Sequence, residues 1–271
     1  MYNWRDKFGN NFVNNEGVGK DAMVQKNEET RGAYQASVSG NYGEFTVSSV
    51  LKSLPANYTV MDNILLQTGT MLRPYHPEKY GQSVWEVKAV KGKPGKLYEV
   101  VKQSTQVDHV IVSEFGVFVI ETKNHKGMVF GDVNGKVWTQ VLTGSKGPRA
   151  YGGHDHYTFY NPVTQNLGHI KALSEALHLN QAYMTGMVVF TNPDASLGNV
   201  NCNCCYTLNG LYEAITKYNK VVFTWDKTLD LVNKLDKLNS NSYLLAKEHE
   251  RYVKDLQHHK DIDIMLKRKH E

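Results

Sequence analysis

Val47, Val50, Leu51 and Leu54 recur at the i, i+3, i+4, i+7 spacing that gathers apolar side chains on one helix face, and Pro55-Ala56-Asn57 ends the run. The pattern predicts a helix from Gly43 onward and then a strand over residues 58–66. Two apolar, β-rich runs, 105–112 and 116–122, are parted by a few turn residues ending in Gly116 and predict a hairpin. Residues 128–133 and 136–142 flank Asn134-Gly135, a dipeptide suited to the positive φ angles of a type I′ turn, and predict a second hairpin. Asn161-Pro162 opens a helix on which Leu167, Ile170, Leu173 and Leu177 line one face. Beyond it, residues 184–190 read as a buried strand, 208–218 as a helix, 221–224 as a strand, and 229 onward as helices ending in a polar, basic tail.

Three stretches lack this periodicity. Residues 1–38, rich in Asn, Gly, Lys and Glu, read as a surface-draped or flexible extension. Residues 67–104, with Pro74, Pro77 and Pro94 and several glycines, read as an insertion, and residues 143–160 as a loop containing Gly, Tyr and His. The expected layout is one α/β domain over 39–240, carrying the insertion, and a C-terminal helical basic tail over 241–271. Composition changes this picture little: 41% hydrophobic and 21% charged residues over 271 positions describe an ordinary globular chain with a real core. A net charge of +4 permits a polyanionic partner without demanding one. The chain opens without a signal-like apolar run, so a soluble, cytoplasmic protein with no membrane partner is expected. Cys202, Cys204 and Cys205 stand together with no distant partner, which is not a disulfide framework. A zinc site would need a fourth ligand from elsewhere, and the cysteines read as reduced residues on a strand or loop.

Charges interrupt the apolar pattern at its centre. Alternation along a strand places Glu121 and Lys123 on one face and Ile120 and Thr122 on the other. If the turn is symmetric about Glu114-Phe115, residues whose numbers sum to 229 lie opposite one another and Asp108 pairs with Glu121; a bulge at Gly116 would shift that pairing by one. Two adjacent carboxylates among Val107, Val110, Val119 and Ile120 repel, and their burial is costly unless a cation sits between them. Mg²⁺ fits such a pair, because it takes oxygen ligands and is usually held by one or two carboxylates plus waters and phosphate oxygens. Lys123 can then orient a water or stabilise developing negative charge, and the combined roles amount to phosphodiester hydrolysis. The plainer reading is a cross-strand ion cluster on a solvated face. The position of these charges inside apolar strands of a mixed α/β chain favours the first.

The run Thr105-Gln106-Val107-Asp108-His109-Val110-Ile111-Val112, followed by Gly116-Val117-Phe118-Val119-Ile120-Glu121-Thr122-Lys123-Asn124 and Gly127, resembles the core motif of NERD, the nuclease-related domain. Gly43-Glu44, Trp138 at the second hairpin, and Asn161-Pro162 with Gln165 match further in order, so that the resemblance spans roughly 43–179. It implies membership of the PD-(D/E)xK nuclease superfamily and a restriction-endonuclease-like α/β fold, a mixed sheet flanked by helices. By the same resemblance Asp108 and Glu121 are metal ligands, Lys123 is the catalytic lysine, and Glu44 matches the first-helix acid that adds a metal contact. Gln165 and His169 share a helix face and resemble the Gln-x-x-x-Tyr element of RecB-like nucleases, with His169 departing from the tyrosine. The implied activity is hydrolysis of nucleic acid, DNA first, with Mg²⁺ as cofactor and Mn²⁺ as its substitute.

The insertion carries seven basic and three acidic residues. Lys91, Lys93 and Lys96, with Arg73, Lys79, Lys88, Tyr75, Tyr80 and Trp85 nearby in sequence, make it a candidate nucleic-acid-binding surface, with a merely solvated basic hairpin as the alternative. His154-Asp155-His156 reads as a pair of surface histidines rather than a second metal site. The competing function is a catalytically silent nucleic-acid-binding module of the same fold. Intact Asp108, Glu121 and Lys123 weigh against it.

Overall fold

A computed structural model describes residues 40–143 and 154–268 of the chain. A first helix, α1, covers residues 40–51. It is followed by β1 (Thr59–Pro74), the one-turn α2 (Pro77–Tyr80), β2 (Glu86–Ala89), β3 (Leu97–Ser113) and β4 (Gly116–Lys123). Then come β5 (Gly127–Asp132), β6 (Val137–Thr143), β7 (His154–Tyr160), α3 (Pro162–Leu177) and β8 (Met184–Phe190). The chain continues through β9 (Ala195–Asn201), β10 (Cys205–Thr207), α4 (Leu208–Thr216) and α5 (Trp225–Arg268).

The larger sheet has the order β1-β3-β4-β8-β10, with β2 added beside β3. It is mixed: β1/β3 and β3/β4 are antiparallel, whereas β4/β8 and β8/β10 are parallel. The antiparallel β3–β4 pair needs only a two-residue turn, closed where Gly116 takes a φ of 134° that L side chains rarely adopt. The parallel β4–β8 pair needs a crossover, and α3 lies on that path. Helices therefore cover both faces. Val110, Val112, Val117 and Val119 pack with Ile170, Leu173 and Leu177 of α3 and with Leu231 and Leu235 of α5. On the opposite face Ile111, Phe118 and Ile120 pack with Val47 and Leu51 of α1 and Leu211 and Ile215 of α4. Every residue from Gly116 to Thr122 is buried, as expected of a central strand apolar on both sides. The mixed sheet flanked by helices is the fold expected from the sequence.

Several local expectations need correction. Asn134-Gly135 does not form a type I′ turn, because neither residue has positive φ. Instead the Asp132 side chain accepts the Asn134 N–H at 2.7 Å, its carbonyl accepts the Gly135 N–H at 3.0 Å, and the hairpin closes through a wider turn. Residues 154–160 form strand β7, paired with β6 in a second sheet of order β7-β6-β5-β9; residues 144–153 of the expected loop lie outside the described residues. Residues 221–224 are not a strand: Val222 and Phe223 direct their N–H groups to the Glu114 carbonyl of the β3–β4 turn and join no ladder. The supposed insertion at 67–104 is largely an extension of the main sheet, since β1 and β3 stay paired from Thr59↔Val112 to Pro74↔Tyr98. Helix α5 runs unbroken across residue 240 as 44 residues. The extension expected over residues 1–38 lies outside the described residues. No helix among the described residues is long and apolar enough to cross a membrane.

Candidate active site

The β3–β4 ladder runs from Ser113↔Gly116 to His109↔Ile120, which is the symmetric register about Glu114-Phe115. The next position brings Asp108 beside Glu121, and there regular pairing gives way: Asp108 Oδ2 accepts the Thr122 N–H at 2.8 Å. The alternation of β3 skips a place at the same point, since Val107 and Val110 both enter the core beneath α3. Across from it, Asn63 on β1 adopts a left-handed φ of 59° between Asp62↔His109 and Ile64↔Val107. This irregularity turns Asp108 out of the ladder. It remains half-buried, reachable from solvent yet poorly hydrated.

Glu121 is 2% exposed. Its Oε1 takes the Lys123 ammonium at 2.5 Å and its Oε2 faces His169 Nε2 at 3.0 Å. Lys123 Nζ also donates to Gln165 Oε1 at 3.2 Å. The His169 tautomer that donates to Glu121 accepts from the Thr105 hydroxyl at Nδ1, 2.9 Å away. Gln165 and His169 reach the strand because Asn166 between them is buried and donates to the Val119 and Met187 carbonyls, fixing α3 on β4 and β8. Asn161 caps α3 by accepting the Val163 and Thr164 N–H groups, which accounts for the Asn-Pro start.

The two carboxylates differ electrostatically. Burial would raise Glu121, but His169 and Lys123 more than offset it and hold the carboxyl below its ordinary value. Burial drives Asp108 the other way, joined by the charges of Glu121 and Glu44 and opposed by the Thr122 N–H and the charge of Lys123, and its carboxyl is pushed up to about 7. Glu44, half-buried on α1, is also raised, chiefly by burial, and feels the charges of His109, Glu121, Asp62 and Lys123. Its helix sits close over the strand ends: a Cβ on Gly43 would meet Thr191 Oγ1 at 2.9 Å and Asn124 Cβ at 3.2 Å. Behind Asp108, His109 Nδ1 meets Asp62 Oδ1 at 2.7 Å, and Ser48 Oγ donates to Asp62 Oδ2 at 2.5 Å.

Asp108, Glu121, Lys123, Gln165 and Glu44 thus share one neighbourhood, and His169 joins them on Glu121 although it departs from the expected tyrosine. The ligand oxygens of Asp108, Glu121 and Glu44 do not all lie within 4.8 Å of one another. Hard oxygen donors are nonetheless available in Asp108 and Glu121, and Asp108 Oδ1 has no protein donor among the described residues. The network His109–Asp62–Ser48 escaped the sequence reading because Asp62 and Ser48 are distant in the chain and carry no local pattern.

Lys91, Lys93 and Lys96 lie elsewhere, exposed on the β2–β3 connection, with Lys93 Nζ 4.7 Å from the centre of the Tyr98 ring. Arg73 and Lys79 belong to a different system: Arg73 binds Glu99 and Asp255, and Lys79 binds Asp263. Trp85 is buried, with Arg251 of α5 over its ring at 5.8 Å, and offers no stacking platform to a base. Asp155 and His156 form no metal-type cluster among the described residues.

The sequence profile of a family described as nuclease-related domain, NERD, matches residues 39–191. An uncharacterized protein of Bacillus anthracis is 31% identical over 161 residues, covering 58% of this chain and 70% of that protein. No solved structure matches the chain.

Proposed function

Because the chain belongs to the nuclease-related domain family, we propose that it is a metal-dependent nuclease that hydrolyses phosphodiester bonds in DNA. The observation that carries this reading is the Asp108–Glu121 pair, set side by side with Lys123 where β3 and β4 part, with Asp108 pushed up to about 7. That shift comes first from burial and then from the neighbouring charge of Glu121, and a divalent ion held by the two carboxylates would offset both.

Asp108 and Glu121 would hold Mg²⁺, with Mn²⁺ as a substitute, and Glu44 stands near enough to feel the same charges. When bound, the ion supplies Lewis-acid chemistry, drawing negative charge from the scissile phosphate and easing deprotonation of water. Lys123 holds a positive charge beside that position, where it stabilises the charge that develops on the phosphate. Gln165 keeps the ammonium aimed, and His169, itself oriented by Thr105, keeps Glu121 ionised. Asp108 gains its full ligand strength on losing its proton, which the cation favours.

The test is cleavage of labelled duplex, single-stranded and branched DNA, and of RNA, by the whole chain with Mg²⁺ or Mn²⁺ and with EDTA. Cleavage that requires the ion and disappears in Asp108→Ala supports the reading. Binding without cleavage under every condition would support the silent module, which the self-satisfied Lys123–Glu121–His169 arrangement would then serve as a purely structural ion cluster.

A further inference from the structure

The chain has only three cysteines, and all of them fall within four positions, Cys202, Cys204 and Cys205. The turn from β9 into β10 brings their sulfurs together: each Sγ lies within 4.8 Å of the other two. Cys202 Sγ and Cys204 Sγ approach to 2.6 Å, and the Cys204 N–H points at Cys202 Sγ from 3.3 Å. Adjacent side chains on a regular strand would diverge to opposite faces, so the convergence of Cys204 and Cys205 is a product of the turn. Apolar residues surround the cluster, among them Trp138, Val188, Phe190 and Leu197, while all three cysteines remain half-exposed. A soft donor set, a backbone N–H on a sulfur and apolar packing beside it are features of a thiolate metal centre.

We propose that Cys202, Cys204 and Cys205 form a three-thiolate site for a thiophilic d¹⁰ metal ion, zinc or monovalent copper. Among the described residues no histidine or carboxylate joins the three sulfurs, so the fourth position on zinc belongs to solvent, whereas monovalent copper is satisfied by three. Binding converts three thiols to thiolates and releases three protons to solvent, and no electron is transferred. The site is tied to the catalytic sheet. Val188 on β8 pairs with Cys205 on one side and Glu121 on the other, and its N–H donates to the Cys204 carbonyl at 2.9 Å. Two strand spacings place the cluster about 10 Å from Glu121. An ion there would fix the β9–β10 turn, and with it Cys205, which pairs with Val188 of the strand that also pairs with Glu121. The proposal stands whether or not the chain cleaves nucleic acid.

The test uses the whole chain, reduced and free of oxygen, with thiols counted by a chromogenic reagent before and after addition of Zn²⁺ or of Cu⁺ held by a competing chelator. Three reactive thiols in the metal-free protein and none with one equivalent of ion are expected, together with sulfur-to-metal charge-transfer absorption when Cd²⁺ is the probe. Cys202→Ser and Cys205→Ser should each weaken binding by more than the roughly 10–100-fold that loss of an outer partner costs. The chelator competition identifies which ion is held. Thiols that stay reactive in the presence of both ions would overturn the proposal. So would unreduced protein that is metal-free and lighter by two hydrogens, since that would make the cluster a disulfide. The thiol count on the unaltered chain decides even if a serine variant fails to fold.

Discussion

Strand β3 carries a buried acid near its start and a half-buried one in its second half. Near its start Glu99 lies against Asp255 of α5, and the Arg73 guanidinium fills the space between them, with a pair of 3.0 Å bonds to the two Asp255 oxygens. Nearer its end Asp108 lies beside Glu121, and the neighbouring ammonium of Lys123 is committed to Glu121 and Gln165. In the first cluster a planar cation in the chain satisfies both carboxylates, which is a fastening between the β1–β3 extension and α5. In the second, one carboxylate is satisfied and the other is left high at about 7. Two acidic clusters of similar composition therefore point to different uses, and the residual charge distinguishes them. Removing one partner from the first should damage the fold, whereas removing one from the second should damage chemistry.

The largest expected effect is on chemistry. Asp108→Ala or Glu121→Ala should abolish ion-dependent cleavage and weaken Mg²⁺ binding in calorimetry, because each takes a ligand from a site with few. Full activity in either variant would end the assignment. Lys123→Met should keep the fold and the ion but slow single-turnover cleavage about 10²–10³-fold, the loss typical of one preorganised charge or donor. A loss confined to substrate affinity would make Lys123 a phosphate anchor. Arg73→Met reverses the pattern. It strands two buried carboxylates, and urea denaturation should show a loss of about 3–5 kcal/mol. Cleavage per folded molecule should hold near the unaltered rate.

Most of the second cluster was legible in the sequence, and almost none of the first. Asp108, Glu121 and Lys123 lie within two strands joined by a two-residue turn, so alternation and register sufficed to bring them together. Gln165 and His169 needed only helical spacing, although His169's bond to Glu121 depends on how Asn166 seats α3. Arg73 and Asp255, by contrast, are 182 positions apart, and nothing local predicts their meeting. The proline- and glycine-rich composition of 67–104 masked the fact that β1 and β3 remain paired through it, because register is set by the partner strand. Strands β9 and β10 were missed for a related reason: both lie at sheet margins, β9 has weak apolar alternation, and β10 has only three residues.

A smaller effect separates the carboxylates by pH. Asp108 titrates at about 7 in the fold against an ordinary 3.8, so folding favours its protonated form. Its contribution to stability is fully present below about pH 4 and is lost as pH rises through 7. Glu121 is held low, and its contribution is present at neutral pH and lost as pH falls through its depressed value. In EDTA, the stability of the unaltered chain relative to Asp108→Asn should therefore fall between pH 4 and 7, by at most about 1.4 kcal/mol per pH unit. Saturating Mg²⁺ should flatten the decline. Parallel curves without the ion would mean that Asp108 titrates normally.

The smallest effect concerns the lysines that neither cluster uses. Lys91, Lys93 and Lys96 are exposed on the β2–β3 connection, whereas Arg73, Lys79 and Lys102 are already paired with acids, the latter two with Asp263 and Glu248 of α5. A phosphate backbone gains most from cations that do not have to leave a partner, so the three exposed lysines are the better candidates for binding substrate. Each phosphate that a lysine neutralises releases condensed counterions. Replacing all three with alanine should lower affinity and reduce the log–log salt slope by about 0.9 for each phosphate no longer neutralised on duplex DNA, or about 0.7 on single strands. Single-turnover cleavage at saturating substrate should remain near the unaltered rate, because Asp108, Glu121 and Lys123 are untouched. Binding measured in EDTA at several salt concentrations gives the slope without cleavage. A slope that does not change would assign the β2–β3 connection to scaffold, and would leave the C-terminal end of β4 around Lys123 as the surface that meets the phosphate backbone.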